Sequence, residues 1–128
     1  MNKFLINLIF FFFLIFLNNL NAKENIMILK LKNGNVKIEL FSDVAPKHVE
    51  RIKKLADEGK YNNVVFHRVI DGFMAQTGDV EFGNSNLESY DIQRAGTGGS
   101  KYPDLKAEFS NLPHDRGTLS MARSADVD

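Results

Sequence analysis

Apolar and polar residues alternate along two short segments in the first third of the chain. Residues 26–32 begin apolar and then alternate, and residues 36–40 alternate throughout. Asn33-Gly34 lies between them, and an Asn-Gly pair between alternating segments is the strongest short-range signal for a β-hairpin. Alternation directs one set of side chains to a buried face and the other to water, so the pattern predicts an antiparallel pair with one solvated side.

The apolar period then changes to that of a helix. Apolar residues recur at spacings of three and four along one helical face: Val49, Ile52, Leu55 and Ala56. Pro46 suits the first turn, where its missing N–H costs no helical hydrogen bond, and Gly59 suits the C-terminal stop. The pattern predicts a helix of about three and a half turns, with Pro46 in its first turn and its stop at Gly59, that covers one open end or face of a sheet. His48 falls on its charged side and is expected at the surface.

A second pair of strands is predicted further along the chain. Residues 64–66 and 69–70 are apolar and favour a buried strand, and residues 73–76 favour its partner. The Asp71-Gly72 pair between them favours a tight reversal. Folding the two runs together is expected to form an apolar socket with hydrogen-bonding groups at its rim, and such a surface suits a peptide segment. The side chains concerned are Arg68, Phe73, Met74 and Gln76.

The remaining sequence is less regular. Residues 78–99 are rich in glycine and asparagine and predict a long ordered surface loop, with a disordered linker as the alternative. Residues 118–122 predict one more strand, after which residues 123–128 have no capping element. The predicted strands leave sheet edges unpaired, so we expect the chain to be a fragment of a longer gene product.

The N-terminal residues have the three parts of a secretory signal peptide. A short basic start containing Lys3 precedes an apolar run over residues 4–17, and a polar segment follows with the small residue Ala22 at its end. The run is shorter than the ~20 residues of a typical membrane helix. The sequence therefore predicts a signal peptide over residues 1–22 and one domain over residues 23–128. An uncleaved membrane anchor is the alternative, because Leu20 is larger than the ideal residue near a cleavage site.

Charge and composition exclude several classes of function. Sixteen basic and sixteen acidic residues balance, and removal of residues 1–22 leaves about one negative charge, so nothing indicates a nucleic-acid surface. The chain has no cysteine and cannot be a disulfide scaffold. No residue cluster indicates a metal or another cofactor; Asp126 and Asp128 at the C-terminus are weak candidates.

Several motifs, in order, resemble those of the cyclophilin-type peptidyl-prolyl isomerases over about residues 26–128. They are Phe66-His67-Arg68, Gly72-Phe73-Met74, Gln76, Gly96-Thr97-Gly98-Gly99 and Gly117-Thr118-Leu119-Ser120-Met121-Ala122. The resemblance implies a mainly β fold: an eight-stranded antiparallel barrel closed by two helices, with the active groove outside. The family's later Gln-Phe-Phe strand, second helix and last strands are missing here, so the chain would hold about half of the groove.

The resemblance also implies roles for individual residues. Arg68 would be the main catalytic group, and the proline ring and adjoining backbone would contact Phe73, Met74 and Gln76. The groove beside the residue before proline would be lined by Ala122, Arg123 and Ser124, and exported bacterial members tend to carry arginine where this chain has Arg123. His67 either lines the edge of the groove or packs in the interior.

These residue types suit isomerisation of a peptide bond. Rotation about an X–Pro bond has a barrier of about 20 kcal/mol because its partial double bond must be broken. In the twisted state the prolyl nitrogen becomes an acceptor, and a fixed donor such as Arg68 then binds more strongly than in the planar state. No nucleophile or metal is required.

The sequence thus predicts a peptidyl-prolyl cis-trans isomerase that assists the folding of exported proteins in the periplasm. Its partners would be proline-containing polypeptides, it would be a monomer, and it would touch a membrane only through an uncleaved N-terminal segment. The alternative is a non-catalytic module of the same fold that binds proline peptides or acts as a chaperone.

Overall fold

The computed structural model of the chain describes residues 25–123. The predicted signal peptide and Ser124 lie outside the described residues. The described elements are, in order, β1 (Ile26–Leu31), β2 (Gly34–Glu39), α1 (Pro46–Asp57), β3 (Arg68–Ile70) and β4 (Met74–Gln76). The chain divides into two compact units, one ending at Asp43 and the other beginning at Val44.

The first unit is the predicted antiparallel hairpin of β1 and β2. Met27 lies opposite Ile38 and Leu29 opposite Val36, so these apolar side chains share one face. Met27, Leu29 and Ile38 are half-buried, whereas Ile28 on the other face is exposed. The turn occupies residues 32–33, one position before the predicted Asn-Gly pair. Gly34 instead opens β2 with a φ of +137°, a conformation that glycine adopts without strain.

The second unit begins with α1, whose predicted buried face is confirmed by the burial of Val49 and Leu55. Pro46 occupies the first helical position. At the other end Lys60 N–H donates to the Leu55 carbonyl at 2.9 Å, and Gly59 N–H donates to the Ala56 carbonyl at 2.9 Å. Gly59 has a φ of +67°, so the helix ends in a Schellman motif.

The N-terminus of α1 is capped by a residue that is distant in sequence. Ala45 provides no side-chain cap. The carboxylate of Glu108 accepts hydrogen bonds from the backbone N–H of Lys47 at 3.1 Å and of His48 at 3.0 Å, and its Oε2 lies 2.7 Å from His48 Nδ1. The expectation that His48 is a surface residue is therefore wrong, because the imidazole is half-buried against this carboxylate. A negative group at a helix N-terminus is favourable.

Strands β3 and β4 form a second antiparallel pair, and two sequence predictions nearby need correction. The predicted strand over residues 64–66 contributes one isolated bridge, from Val64 to Asn84. Residues 118–122 lie in the described part of the chain but form no strand, because a strand requires a hydrogen-bonded partner. The strands of residues 25–123 form two separate two-stranded sheets and do not close a barrel.

Candidate functional site

The β3–β4 hairpin sets four of the predicted site residues close together. Arg68 lies opposite Gln76, and Ile70 lies opposite Met74. Because alternate residues of a strand point to the same side, Arg68, Met74 and Gln76 share one face, while Val69 and Ala75 occupy the other. Arg68 is exposed, and Met74 and Gln76 are half-buried. The sequence prediction that these side chains come together agrees with this register.

Phe73 lies in the turn and not in the predicted strand. Its N–H donates to the Ile70 carbonyl at 3.1 Å, and Gly72 in the middle of the turn has a φ of +70°. A residue other than glycine would be strained there. The Phe73 ring is 77 % exposed, so it stands at the tip of the hairpin, adjacent in sequence to Met74.

The base of the hairpin is fixed by hydrogen bonds to its neighbours. Thr77 follows β4 and Val65 precedes β3. The Thr77 hydroxyl donates to the Val65 carbonyl at 2.9 Å. Val65 N–H in turn donates to the Gly83 carbonyl at 2.9 Å, and Ser85 N–H donates to the Asn63 carbonyl at 3.0 Å. Val65, in the segment that leads into β3 and to Arg68, is thus bonded both to Thr77 after β4 and to Gly83 in the following loop.

A buried carboxylate organises the long loop that follows β4. Asp79 is 6 % exposed. One oxygen accepts hydrogen bonds from Glu81 N–H and Phe82 N–H, both at 2.9 Å, and the other accepts from Gly96 N–H at 2.7 Å and Gly98 N–H at 3.0 Å. The two ends of the loop are therefore joined through a single side chain.

The charge of this carboxylate is maintained by its donors. Burial by itself raises the pKa of Asp79, but the four backbone N–H groups together outweigh burial, and the pKa lies below its ordinary value. The Arg94 guanidinium also lies 3.8 Å from the centroid of the Phe82 ring and adds a second tie across the loop. The prediction of an ordered loop over residues 78–99 is confirmed by these bonds.

The loop reaches the hairpin at His67. A Cβ at Gly96 would lie 2.5 Å from His67 Cδ2, and the φ of Gly96 is +98°, so both space and backbone conformation require glycine there. His67 is half-buried, and its Nδ1 is buried without a hydrogen-bond partner among the described residues. Asp79 thereby holds Gly96 against the residue that precedes Arg68.

The structure describes two of the three site residues that are predicted near the C-terminus. Ala122 and Arg123 are exposed, and the Arg123 guanidinium lies 5.5 Å from the centroid of the Phe109 ring. Ser124 lies outside the described residues. Within residues 25–123, no group of three metal-ligating side chains is arranged to hold an ion, and no helix has the length and apolarity needed to cross a bilayer.

Sequence reasoning missed two carboxylates that organise the second unit. Asp79 lies three residues after Gln76 and has no predicted role, and no prediction concerns Glu108. A signal for Asp79 was present, since an aspartate between an apolar strand and two glycine-rich segments suits the capture of loop N–H groups. No local pattern marks Glu108, because its donors lie sixty residues away in sequence.

Comparison with known proteins gives a consistent result. The family model for cyclophilin type peptidyl-prolyl cis-trans isomerase/CLD matches residues 26–128. A probable peptidyl-prolyl cis-trans isomerase of Brucella suis biovar 1 (strain 1330) is 65% identical over 101 residues, which are 79% of this chain and 51% of the relative. A peptidyl-prolyl cis-trans isomerase of Helicobacter pylori (strain J99) is 39% identical over 105 residues, which are 80% of this chain and 57% of that protein.

A third relative is a much longer protein. The peptidyl-prolyl cis-trans isomerase-like 2 protein of Cryptococcus neoformans var. neoformans serotype D (strain JEC21) is 45% identical over 92 residues, which are 71% of this chain and 15% of that protein. No solved structure matches the chain. The chain spans about half the length of the Brucella relatives that it matches.

Proposed function

This chain belongs to the family of cyclophilin-type peptidyl-prolyl cis-trans isomerases, and we propose that its gene product accelerates rotation about X–Pro bonds in polypeptides. The register of the β3–β4 hairpin carries the proposal, because it sets Arg68 opposite Gln76 with Met74 on the same face. A guanidinium, a thioether and a carboxamide on one accessible surface supply a cationic donor, an apolar contact and a paired donor and acceptor.

Arg68 is proposed as the catalytic group. Its guanidinium is always charged and carries five N–H donors. As the imide twists, the prolyl nitrogen loses conjugation and gains a lone pair that can accept a hydrogen bond. Arg68 then stabilises the twisted state more than the planar one, and this difference lowers the barrier. No bond to the substrate is formed or broken.

The neighbouring side chains would hold the proline residue while the bond rotates. We assign apolar contact with the pyrrolidine ring to Met74 and to the exposed ring of Phe73. Gln76 would bind the flanking backbone through its carbonyl and its NH₂ group. Clamping the ring at one side of the imide leaves the other side free to turn, which positions the bond for rotation.

Further residues complete the proposed groove. Ala122 ends the family-like run over residues 117–122, and Arg123 and Ser124 follow it. These three residues are proposed to contact the residue before proline. Two roles are considered for His67: it lines the edge of the groove or it packs in the interior. Its packing against Gly96 supports the second role, in which His67 holds the strand that carries Arg68.

The wider setting of the activity is also a proposal. We propose that the gene product folds as an antiparallel barrel capped by two helices and acts as a monomer. The basic start, apolar run and small residue within residues 1–22 support a signal peptide, and hence a role in the folding of exported proteins in the periplasm.

The experiment that tests the activity measures cis–trans exchange of a short X–Pro peptide by NMR, with the complete gene product added at catalytic concentration. We expect exchange to accelerate. Arg68→Ala should reduce this acceleration by about a hundredfold, since removal of one transition-state donor costs roughly 3 kcal/mol. Arg116→Ala, which removes the same charge from an exposed turn, is the matched control and should leave the rate unchanged.

The same spectra separate the enzyme from the non-catalytic alternative. A binding module would shift the peptide resonances without accelerating exchange. Equal rates for the wild type and Arg68→Ala, with circular dichroism showing that both are folded, would remove Arg68 from its assigned role.

A further inference from the structure

The second unit carries a dense group of positive charges around one aromatic ring. The Lys54 Nζ atom lies 4.1 Å from the centroid of Tyr102, and the Arg51 guanidinium carbon and the Lys101 Nζ atom each lie 5.1 Å from it. We call this group, together with Glu58, the Tyr102 cluster. It lies on α1 and the segment after residue 99, apart from the β3–β4 hairpin in sequence.

The geometry of the helix explains how the cluster is assembled. Arg51, Lys54 and Glu58 are three and four residues apart, so they lie along one face of the end of α1. Arg51 is anchored further by its Nη2 donating to the Pro103 carbonyl at 2.9 Å. Each cation placed over the ring face gains from the ring's quadrupole. Tyr102 therefore holds together charges that would otherwise repel one another.

The cluster has more positive than negative charge. Glu58 is the carboxylate that pairs with it among residues 25–123: it accepts a hydrogen bond from the Tyr102 hydroxyl, and its Oε2 lies 3.9 Å from Lys101 Nζ. The hydrogen bond from Tyr102 is the largest cause that lowers the pKa of Glu58. Desolvation opposes it, and the charges of Lys101, Lys54 and Lys60 add to the lowering. Glu58 thus faces the three cations of the cluster and the neighbouring Lys60, and the helix C-terminus offsets only part of the excess.

A cavity of about 320 Å³ adjoins the cluster. Lys60 and Lys101 line it together with the apolar side chains of Leu55 and Val80. Glu58 and Glu81 line it as well, and the Oε2 atom of Glu81 accepts the N–H of Gly99 at 3.2 Å. The cavity lining is therefore balanced in charge, and Arg51 and Lys54 beside it leave the whole site with four cations and two carboxylates. The excess of positive charge thus lies at the ring of Tyr102, next to the apolar wall of the cavity, and the two features together suit an acidic side chain with a hydrocarbon stem.

We propose that the Tyr102 cluster binds an acidic segment of a polypeptide partner, at a surface separate from the proposed isomerase groove. Two neighbouring carboxylates would neutralise the excess of four cations over two carboxylates, and the hydrocarbon stem of one glutamate would pack against Leu55 and Val80 at the cavity wall. A polypeptide fits better than a nucleic acid because the chain as a whole is neutral and the basic group is confined to one helix end, whereas phosphate backbones require an extended basic track. The proposal does not depend on isomerase activity.

The test is fluorescence anisotropy of a labelled decapeptide of alternating glutamate and serine, titrated with the complete gene product. The peptide contains no proline, so the isomerase groove is not engaged. We expect binding that weakens as ionic strength rises from about 0.05 to 0.3 M, because the interaction is between exposed charges. The double variant Lys54→Glu/Lys101→Glu should weaken binding at least about tenfold.

The matched control is Lys30→Glu/Lys37→Glu, which makes the same charge change on the β1–β2 hairpin and should leave the affinity nearly unchanged. Tyr102→Leu keeps every charge but removes the ring, and we expect it to weaken binding as well. An equal loss in the control, or tighter binding of a single-stranded oligonucleotide of equal charge or of anionic lipid vesicles, would overturn the proposal. Failure of the peptide to bind would also overturn it, and circular dichroism of each variant shows that it is folded.

Discussion

The carboxylate of Asp79 offers the sharpest test of how the second unit is held together. Asp79→Asn preserves the size and shape of the side chain but replaces one acceptor oxygen with an NH₂ donor. Of the four backbone N–H groups that bind the carboxylate, two would keep an acceptor and two would face another donor. The substitution therefore isolates the hydrogen bonds from any change in packing volume.

The expected magnitude follows from that count. A buried N–H group without an acceptor costs about 1–3 kcal/mol, so two of them give a loss of about 2–6 kcal/mol in the free energy of unfolding. A domain has about 5–15 kcal/mol in total. With an m-value near the middle of the usual range, about 2 kcal/mol per molar urea, the midpoint of unfolding at pH 7 should fall by about 1–3 M. Asp71→Asn, at an exposed turn, should change stability by less than about 0.5 kcal/mol.

The dependence on pH provides an independent check. Because the pKa of Asp79 is lower in the folded protein than in the unfolded chain, its carboxylate stabilises the fold above the unfolded value of about 3.9. That contribution disappears as the pH falls through the lower folded pKa. The difference in stability between wild type and Asp79→Asn should therefore shrink below about pH 4. A loss under about 1 kcal/mol at pH 7, or a difference that does not change with acidification, would refute this reasoning.

Two further predictions concern contacts between distant segments. Gly96→Ala should destabilise the protein by about 1–3 kcal/mol in urea unfolding, because its Cβ would meet His67 at 2.5 Å and its φ of +98° is unfavourable for alanine; Gly99→Ala, where the Cβ meets open space, is the control. Glu108→Gln should speed hydrogen exchange of the His48 amide, because the charge at the N-terminus of α1 is lost.

Protection of the His48 amide from hydrogen exchange should also depend on pH in a definite direction. Burial raises the pKa of Glu108, but the hydrogen bonds from His48 and Lys47 outweigh it and lower the pKa overall. Protection of the His48 amide should therefore persist at neutral pH and decline as Glu108 is protonated in acid. Glu50→Gln, an exposed change on the same helix, is the control. Unchanged exchange in Glu108→Gln would contradict the capping role.

Several elements of the fold could be predicted from the sequence because their causes are local. The alternation over residues 26–40 gave the first hairpin, and the spacing from Val49 to Ala56 with Gly59 beyond it gave α1 and its Schellman end. The Asp71-Gly72 turn brought Arg68 and Gln76 opposite each other. The prediction failed for residues 118–122, since local alternation cannot supply the partner that a strand requires.

The sequence by itself determined the family and the hairpin residues proposed for the groove, because motif spacing and period-two alternation act over a few residues. Only the tertiary structure decided that Asp79 joins Gly96 and Gly98 to residues 81–82, that Glu108 caps α1 beside His48, and that Tyr102 gathers three cations. The Asp79 bonds to Gly96 and Gly98 span 17 and 19 positions, and the Glu108 bond to His48 spans 60. Their partners are chosen by packing in three dimensions and by the need of buried donors and charges for a counterpart, which no local pattern of residues records.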